Sequence, residues 1–112
     1  MVELKYLEFL SAKKLIHSFT KKELSVLAGL SSNFTPEQAA IVKSIEAKTN
    51  HDVKALEYYI KDNLKDTSLN DILEFIHIGI TSDDTSNIAY ASMVKDFNTK
   101  HNLVLLRRLL DE

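Results

Sequence analysis

The chain has 112 residues, of which 45% are hydrophobic and 27% are charged, and its formal net charge is −2. This length allows one domain with a modest core, and a weakly acidic chain without a Lys/Arg run is unlike a nucleic-acid binder. The absence of cysteine excludes disulfides, thiolate metal sites and a cysteine nucleophile.

No apolar run reaches the roughly 18 residues of a membrane span, and no signal-peptide pattern opens the chain. We therefore expect a cytoplasmic protein with no membrane partner. Only two glycines and one proline interrupt the sequence. Sheets and hairpins need turn residues about every 8–12 positions, so the composition predicts a single all-α domain over residues 1–112.

The first two helices are predicted from apolar periodicity. A helix from Val2 to about Ile16 is indicated by apolar residues at helical spacing, namely Leu4, Leu7, Leu10 and Leu15. A weaker pattern predicts a second helix over residues 21–27, which Gly29 is expected to end. Residues 31–33 are predicted to form a loop.

The third helix has the clearest predicted start. Thr35 is its N-cap, Pro36 occupies the first helical position, and Gln38 stands where a capping box requires it. The helix is expected to end near Lys48. Its buried stripe is predicted to contain Ile41, Val42 and Ile45.

Asn50 or Asp52 is predicted to cap the fourth helix. Its apolar face contains Val53, Leu56, Ile60 and Leu64. Capping alone is a sufficient explanation for either Asn50 or Asp52 taken singly. Ser68 and Asp71 then resemble a second capping box, which predicts a short helix through Ile76.

Gly79 is predicted to break that helix and Ser82 to cap the last one, which runs from Asp83 to the final residue. At 1.5 Å per residue, residues 83–112 would extend roughly 40 Å, which suits the first part of a long bundle helix. This helix has no stop signal, and its end carries a broad apolar band of Leu103, Val104, Leu105, Leu106, Leu109 and Leu110. We expect the chain to be a piece that ends within a helix.

Two helix starts carry the candidate chemistry, Asn50-His51-Asp52 and Thr81-Ser82. Free N–H groups and the positive dipole end at a helix start favour anions, so the two starts together could frame a site for a charged ligand. His51 could donate a hydrogen bond or a proton there. The simpler alternative is a surface histidine. Asp83 and Asp84 would repel an anion unless they point away or face a cation.

The other histidines favour structural interpretations. His77 lies among apolar residues, which is typical of a core histidine bonded to a backbone carbonyl. His17 and His101 have no carboxylate or second histidine at metal-ligand spacing, so we expect no metal site.

The runs at residues 2–7, 45–59 and 81–87, with Glu74-Phe75-Ile76-His77 before the last of them, resemble the amino-terminal part of the adenylosuccinate lyase family. This family belongs to the fumarase/aspartase superfamily. The resemblance implies the superfamily's all-α amino-terminal helical domain, ending in a long helix of its central bundle.

The resemblance also implies an activity and a set of site residues. The family removes fumarate from adenylosuccinate, giving AMP, and from the succinyl-carboxamide ribotide of purine biosynthesis, with no cofactor and as a homotetramer. On the matching positions, Asn50, His51, Asp52, Thr81 and Ser82 would bind the substrate. His51 would act as an acid or as a phosphate ligand, and the sequence does not choose between them.

Several family features are absent from the chain. These are an Arg-Tyr substrate-binding pair, the catalytic histidine of a Thr-x-His-Gly-Gln segment, and the mobile loop with the catalytic serine. We therefore expect this piece alone to be inactive. From the apolar band of the last helix we expect it to self-associate, with a dimer as the simplest form. The alternatives are a non-catalytic helical interaction module of the same fold, and a lyase acting on another fumarate-releasing substrate.

Overall fold

The computed structural model describes residues 2–111, and all regular structure in this range is helical. The α-helices are α1 (Val2–Ala12), α2 (Lys21–Ser32), α3 (Pro36–Thr49), α4 (Asp52–Leu64), α5 (Ser82–Phe97) and α6 (Leu103–Leu110). A 3-10 helix (Asn70–Phe75) follows α4, and a π-helical turn (Asn98–Asn102) joins α5 to α6. The predicted all-α class is confirmed.

The core lies where α1, α2, α4 and the 3-10 segment meet. It is formed by Leu4, Leu7, Leu10, Leu27, Tyr59, Ile60, Leu64, Leu69, Ile72 and Ile76. The core residues of α1 are three positions apart, and Ile60 and Leu64 of α4 are four apart, so each of these two helices buries one stripe, while α2 contributes Leu27. Burying each such side chain contributes about 1.5–3 kcal/mol, which makes this cluster the main stabilising element.

Helix α1 ends four residues earlier than predicted. Lys14 adopts a left-handed conformation with φ of 57°. The Leu15 N–H then donates to the Leu10 carbonyl at 3.0 Å and the Lys14 N–H to the Ser11 carbonyl at 3.0 Å. This pair of bonds is the Schellman arrangement that closes helices. Leu15 therefore lies beyond the end of α1, and its side chain is exposed.

Helix α2 is longer than predicted, because Gly29 does not end it. Glycine only weakens a helix interior by about 1 kcal/mol, and here the helix continues to Ser32 because Val26, Leu27 and Leu30 pack on the core. The Asn33 N–H closes the last turn on the Gly29 carbonyl at 3.0 Å. The predicted loop at residues 31–33 is thus wrong for Ser31 and Ser32.

Helix α3 starts as predicted, but its packing differs from the prediction. The Thr35 N–H donates to Gln38 Oε1 at 2.8 Å, which confirms the capping box. No residue of α3 is fully buried, and Ile41 is half exposed. Its predicted buried stripe is therefore wrong as stated, since α3 packs mainly along α4 and leaves Val42 and Ile45 only partly covered.

The capping box predicted at Ser68 is also wrong. The Ser68 hydroxyl donates to Glu23 Oε1 at 2.9 Å, and Asp71 pairs with His17 Nδ1 at 2.9 Å. Both partners lie on distant parts of the chain. The segment forms a 3-10 helix, which places Leu69, Ile72 and Ile76 in the core.

The last predicted helix is observed as continuous helical backbone from Ser82 to Leu110, with a π turn at residues 98–102, and it ends before Asp111, short of the predicted end. It makes the molecule elongated, at 58 × 34 × 25 Å with a radius of gyration of 16.9 Å, where a compact chain of this length would have about 13 Å. Residue 112 lies outside the described residues. That this helix enters a central bundle stays a prediction.

Acid should remove a stabilising contribution of Glu23. Its pKa is lowered to about 2, because the Thr20 N–H and hydroxyl and the Ser68 hydroxyl donate to the carboxylate. A group with a depressed folded-state pKa stabilises the fold above its unfolded value, and this contribution is lost as the pH falls from about 4.5 to about 2. Urea unfolding across this range should show a smaller loss of stability for Glu23→Gln than for the unsubstituted chain.

Ser68→Ala is the matched comparison, since it removes one of the donors and keeps the carboxylate. The free energy of unfolding of this variant should depend on pH to a degree between those of the unsubstituted chain and Glu23→Gln. If Glu23→Gln loses as much stability in acid as the unsubstituted chain does, other carboxylates cause the loss.

Candidate ligand site where two helices begin

Helices α3 and α4 are joined by two residues with different tasks. Asn50 closes α3 in the left-handed conformation, with φ of 51°, and its N–H donates to the Glu46 carbonyl at 2.8 Å. His51 has extended backbone and caps α4. The prediction that Asn50 or Asp52 caps α4 is therefore wrong, because Asn50 belongs to the preceding helix end and Asp52 is already the first helical residue.

The capping contact defines the tautomer of His51. The Lys54 N–H donates to His51 Nδ1 at 3.2 Å, so this ring nitrogen carries no proton. In the neutral imidazole the proton is then on Nε2. That atom lies 3.3 Å from Ser82 Oγ, and the Nε2–H donates to this hydroxyl. His51 thus presents a directed hydrogen-bond donor to the start of α5.

The start of α5 is capped by Thr81 rather than by Ser82. The Asp84 N–H donates to Thr81 Oγ1 at 3.3 Å, and Asp84 Oδ2 accepts from the Thr81 N–H at 2.7 Å and from its hydroxyl at 3.0 Å. The predicted cap is therefore one residue off. Thr81 Oγ1 is occupied by these contacts, whereas the Ser82 hydroxyl keeps its own proton for a further acceptor.

Asp84 is held in a way that limits its repulsion of an anion. The Thr81 N–H and then the Thr81 hydroxyl lower the pKa of this carboxyl, and the nearby His77 adds to the effect against a small opposing contribution of burial. The carboxylate is turned back onto the start of its own helix, where the Thr81 N–H and hydroxyl hydrogen-bond to it, and it remains negatively charged. An anion site here requires Asp83 and Asp84 to point away from the bound anion or to face a cation, and Asp84 meets the first condition.

The five predicted site residues lie where α3 ends and where α4 and α5 begin, and a hydrogen bond joins His51 of one helix start to Ser82 of the other. His51 is half exposed and Ser82 is partly buried. Asp52 lies beside a groove of about 350 Å³ between α3, α4 and α5, with its Oδ1 at 3.7 Å from His51 Nδ1. Asn50 is exposed on the α3 side, next to Lys43 and Glu46.

His77 does not bond to a backbone carbonyl, as the sequence had suggested. Its Nδ1 lies 2.9 Å from Glu3 Oε1, and Glu3 is fully buried. The same Oε1 accepts a hydrogen bond of 2.9 Å from the Thr85 hydroxyl. Sequence reasoning missed Glu3 and Thr85. The available signal was the position of Glu3 on the same helical stripe as Leu7 and Leu10, where a charge is unexpected.

The described part of the chain contains no cluster of three or more potential metal ligands. Residues 2–111 also contain no helix that is both long and apolar enough to cross a membrane.

The two roles open to Asn50 can be separated by substitution. Because φ is positive, Asn50→Gly should keep the stability of the chain or raise it, while Asn50→Ala should cost about 1 kcal/mol. Urea unfolding of the two variants measures the difference. Equal stability of the glycine and alanine variants would contradict the assigned left-handed helix end. Asn50→Gly is then a stable variant that lacks only the side-chain amide.

The chain is similar to several adenylosuccinate lyases. The chain is 42% identical over 99 residues to an adenylosuccinate lyase of Legionella pneumophila (strain Corby), with 85% of this chain and 22% of that protein covered. It is 40% identical over 96 residues to the Buchnera aphidicola adenylosuccinate lyase (subsp. Acyrthosiphon pisum), covering 85% and 21%. It is 36% identical over 114 residues to the Escherichia coli K12 adenylosuccinate lyase, with 98% of this chain and 25% of that protein covered.

No protein-family model matches the chain. The chain spans about a fifth to a quarter of the length of the curated relatives that it matches. The resemblance predicted from the sequence is confirmed over this part.

Proposed function

We propose that this chain, a homologue of one fifth to one quarter of adenylosuccinate lyase, carries one of the segments from which that enzyme's active site is built. The whole enzyme would eliminate fumarate from adenylosuccinate, giving AMP, and from the succinyl-carboxamide ribotide. One observation carries the proposal. His51 Nε2 and Ser82 Oγ, from the two segments that resemble the family's substrate-binding runs, lie 3.3 Å apart.

The geometry supports a hydrogen-bonding role for both residues. A β-elimination needs a base for the carbon-bound proton, an acid for the leaving nitrogen and donors for developing negative charge. His51 offers an Nε2–H donor and Ser82 a hydroxyl, beside the first amides of α5, which have no acceptor within the helix. We assign His51 as a donor to an anionic group of the substrate, because its Nδ1 is used as a cap and is not free to relay a proton.

The remaining predicted residues support this pair. Asn50 and Asp52 would contact substrate from either side of His51, and both side chains are exposed. Thr81 would act through its capping box, which holds the start of α5 and turns Asp84 back onto the helix. The ligand would be a soluble nucleotide handled in the cytoplasm.

A chimera tests the proposal. Residues 2–111 of this chain would replace the matched segment of the Escherichia coli relative, and turnover of adenylosuccinate would be followed by its loss of absorbance. We expect measurable turnover by the chimera and none by the 112-residue chain alone, since the chain contains no Thr-x-His-Gly-Gln segment and no serine loop. A folded, correctly assembled chimera without turnover would contradict the proposal, and so would turnover by the chain alone.

A non-catalytic interaction module is the second candidate, and the exposed apolar surface of α5 and α6 favours it. Side chains that are 41% or more exposed there are Ile88, Tyr90, Met93, Val94, Phe97, Leu103, Val104, Leu105, Leu106, Leu109 and Leu110. A surface of this kind marks an interface. An inactive but folded chimera, together with strong self-association of the chain, would favour this candidate.

The isolated chain should self-associate through α6. Each exposed leucine forfeits about 1.5–3 kcal/mol of burial, so several together favour pairing at micromolar concentration. Sedimentation should show a dimer, and Leu106→Glu with Leu109→Glu should return it to a monomer. Leu24→Glu, at a leucine of α2 that is 40% exposed, is the matched control and should leave the dimer intact. A strictly monomeric unsubstituted chain would contradict this prediction.

A further inference from the structure

Glu3 is the most unusual residue of the described chain. It lies on the core side of α1 and is fully buried. One carboxylate oxygen, Oε1, lies 2.9 Å from both His77 Nδ1 and Thr85 Oγ1. The other, Oε2, is buried and has no hydrogen-bond partner among residues 2–111. A leucine would fit the same helical stripe as Leu7 without this unpaired oxygen.

This arrangement is costly for stability alone. Burying a carboxylate costs several kcal/mol, and replacing a buried ionic group by a hydrophobic residue is often neutral or stabilising. Glu3 therefore has to be explained by what its contacts hold in place rather than by a gain in free energy of folding.

The contacts of Glu3 span the turn that leads into α5. His77 precedes this turn and Thr85 lies one helical turn after its end. Tyr6, one turn after Glu3 on α1, donates its hydroxyl to the Ile78 carbonyl at 2.8 Å. The first two turns of α1 thus hold residues 77–85 at both ends.

The backbone conformation of residues 77–85 is not favoured by these residues alone. His77 and Gly79 both have positive φ, 68° and 70°. The left-handed conformation costs a residue with a Cβ about 1–2 kcal/mol, so His77 needs an outside contact to stay there. Ser82 lies within the held segment, and its hydroxyl meets His51.

We propose that Glu3 is a positioning residue, which places Ser82 Oγ opposite His51 Nε2 by holding His77 and Thr85 at the two ends of the α5 turn. The inference rests on the proposed function, because a fixed position of Ser82 relative to His51 matters for binding a ligand. Its test observes the His51–Ser82 contact directly and does not depend on turnover.

The test uses the chain labelled with 15N at its four histidines, observed by NMR. Ser82→Ala provides the His51 spectrum without the hydroxyl contact. Glu3→Leu, which removes both acceptor contacts and suits the core, should shift the His51 Nε2 resonance most of the way to the Ser82→Ala position. Glu3→Gln keeps an oxygen acceptor and should restore the original position. Glu8→Gln, at a partly exposed residue of α1 that pairs with Lys5, should change nothing.

A folded Glu3→Leu variant with an unchanged His51 spectrum would overturn the proposal, because Glu3 would then act only on its immediate neighbours. Failure of Glu3→Gln to restore the spectrum would overturn it as well. If Glu3→Leu does not fold, Thr85→Val decides instead, since it removes one donor with little change of shape and should shift His51 in the same direction. An inactive chimera would leave all these spectra unaffected, so the two proposals fail separately.

Discussion

Replacing His51 in the active chimera should lower turnover by about 10²–10³-fold, because a positioned donor to developing charge contributes about that much to catalysis. His51→Asn is the sharper variant. Asparagine is a good N-cap and its oxygen can accept the Lys54 N–H, so the start of α4 stays intact. Its shorter side chain cannot supply the Nε2–H that meets Ser82.

His51→Ala should lose turnover to the same extent and about 1 kcal/mol of stability in addition, because it also removes the cap. His101→Ala, at an exposed histidine of the π turn, is the control and should keep full turnover. Turnover assays and urea unfolding of the three variants separate the effects. If His51→Asn is as active as the unsubstituted chimera, His51 is only a cap, and the simpler alternative from the sequence holds.

Replacing His77 by alanine should destabilise the isolated chain by about 3 kcal/mol. Removing His77 takes away a hydrogen-bond partner of the buried Glu3 carboxyl group, and Glu3 Oε2 already has no partner among residues 2–111. Urea unfolding measures the loss. His101→Ala is the control, because this histidine is exposed and its replacement should cost less than about 1 kcal/mol.

Two further variants separate the causes of this loss. His77→Gly tolerates the positive φ and should be about 1 kcal/mol more stable than His77→Ala. The combination of His77→Ala with Glu3→Leu should recover much of the lost stability, because no buried carboxylate remains unpaired. A loss below 1 kcal/mol for His77→Ala alone would show that the Glu3 contact is unimportant for folding.

The sequence predicted the helices better than it predicted their ends. The predicted α-helices correspond in order to α1, α2, α3, α4 and the continuous backbone of α5 and α6, and Thr35 with Gln38 marked one start correctly. Three predicted helix boundaries were wrong, because at each of them two local backbone conformations or hydrogen-bond partners have nearly equal free energy. Lys14 entered the left-handed region, Gly29 was kept within a helix by core contacts, and Ser68 donated to Glu23 rather than to its own segment.

The candidate site was only partly predictable. Residue types at the two helix starts indicated an anion site, and the family resemblance matched the same positions. Which residue caps each helix was mis-assigned by one position, because Asn50, His51 and Asp52 can all accept a backbone N–H, as can Thr81 and Ser82. The roles of these residues in binding a substrate stay a prediction.

The sequence by itself determined the helical class, the apolar stripes and the kind of chemistry at residues 50–52 and 81–82, since these depend on contacts within one or two helical turns. Only the tertiary structure decided that His51 meets Ser82, that α3 stays half exposed, and that Glu3 is buried against His77 and Thr85. These contacts join residues 31 to 82 positions apart. Their pairing depends on how the helices pack, which no local pattern of residues contains.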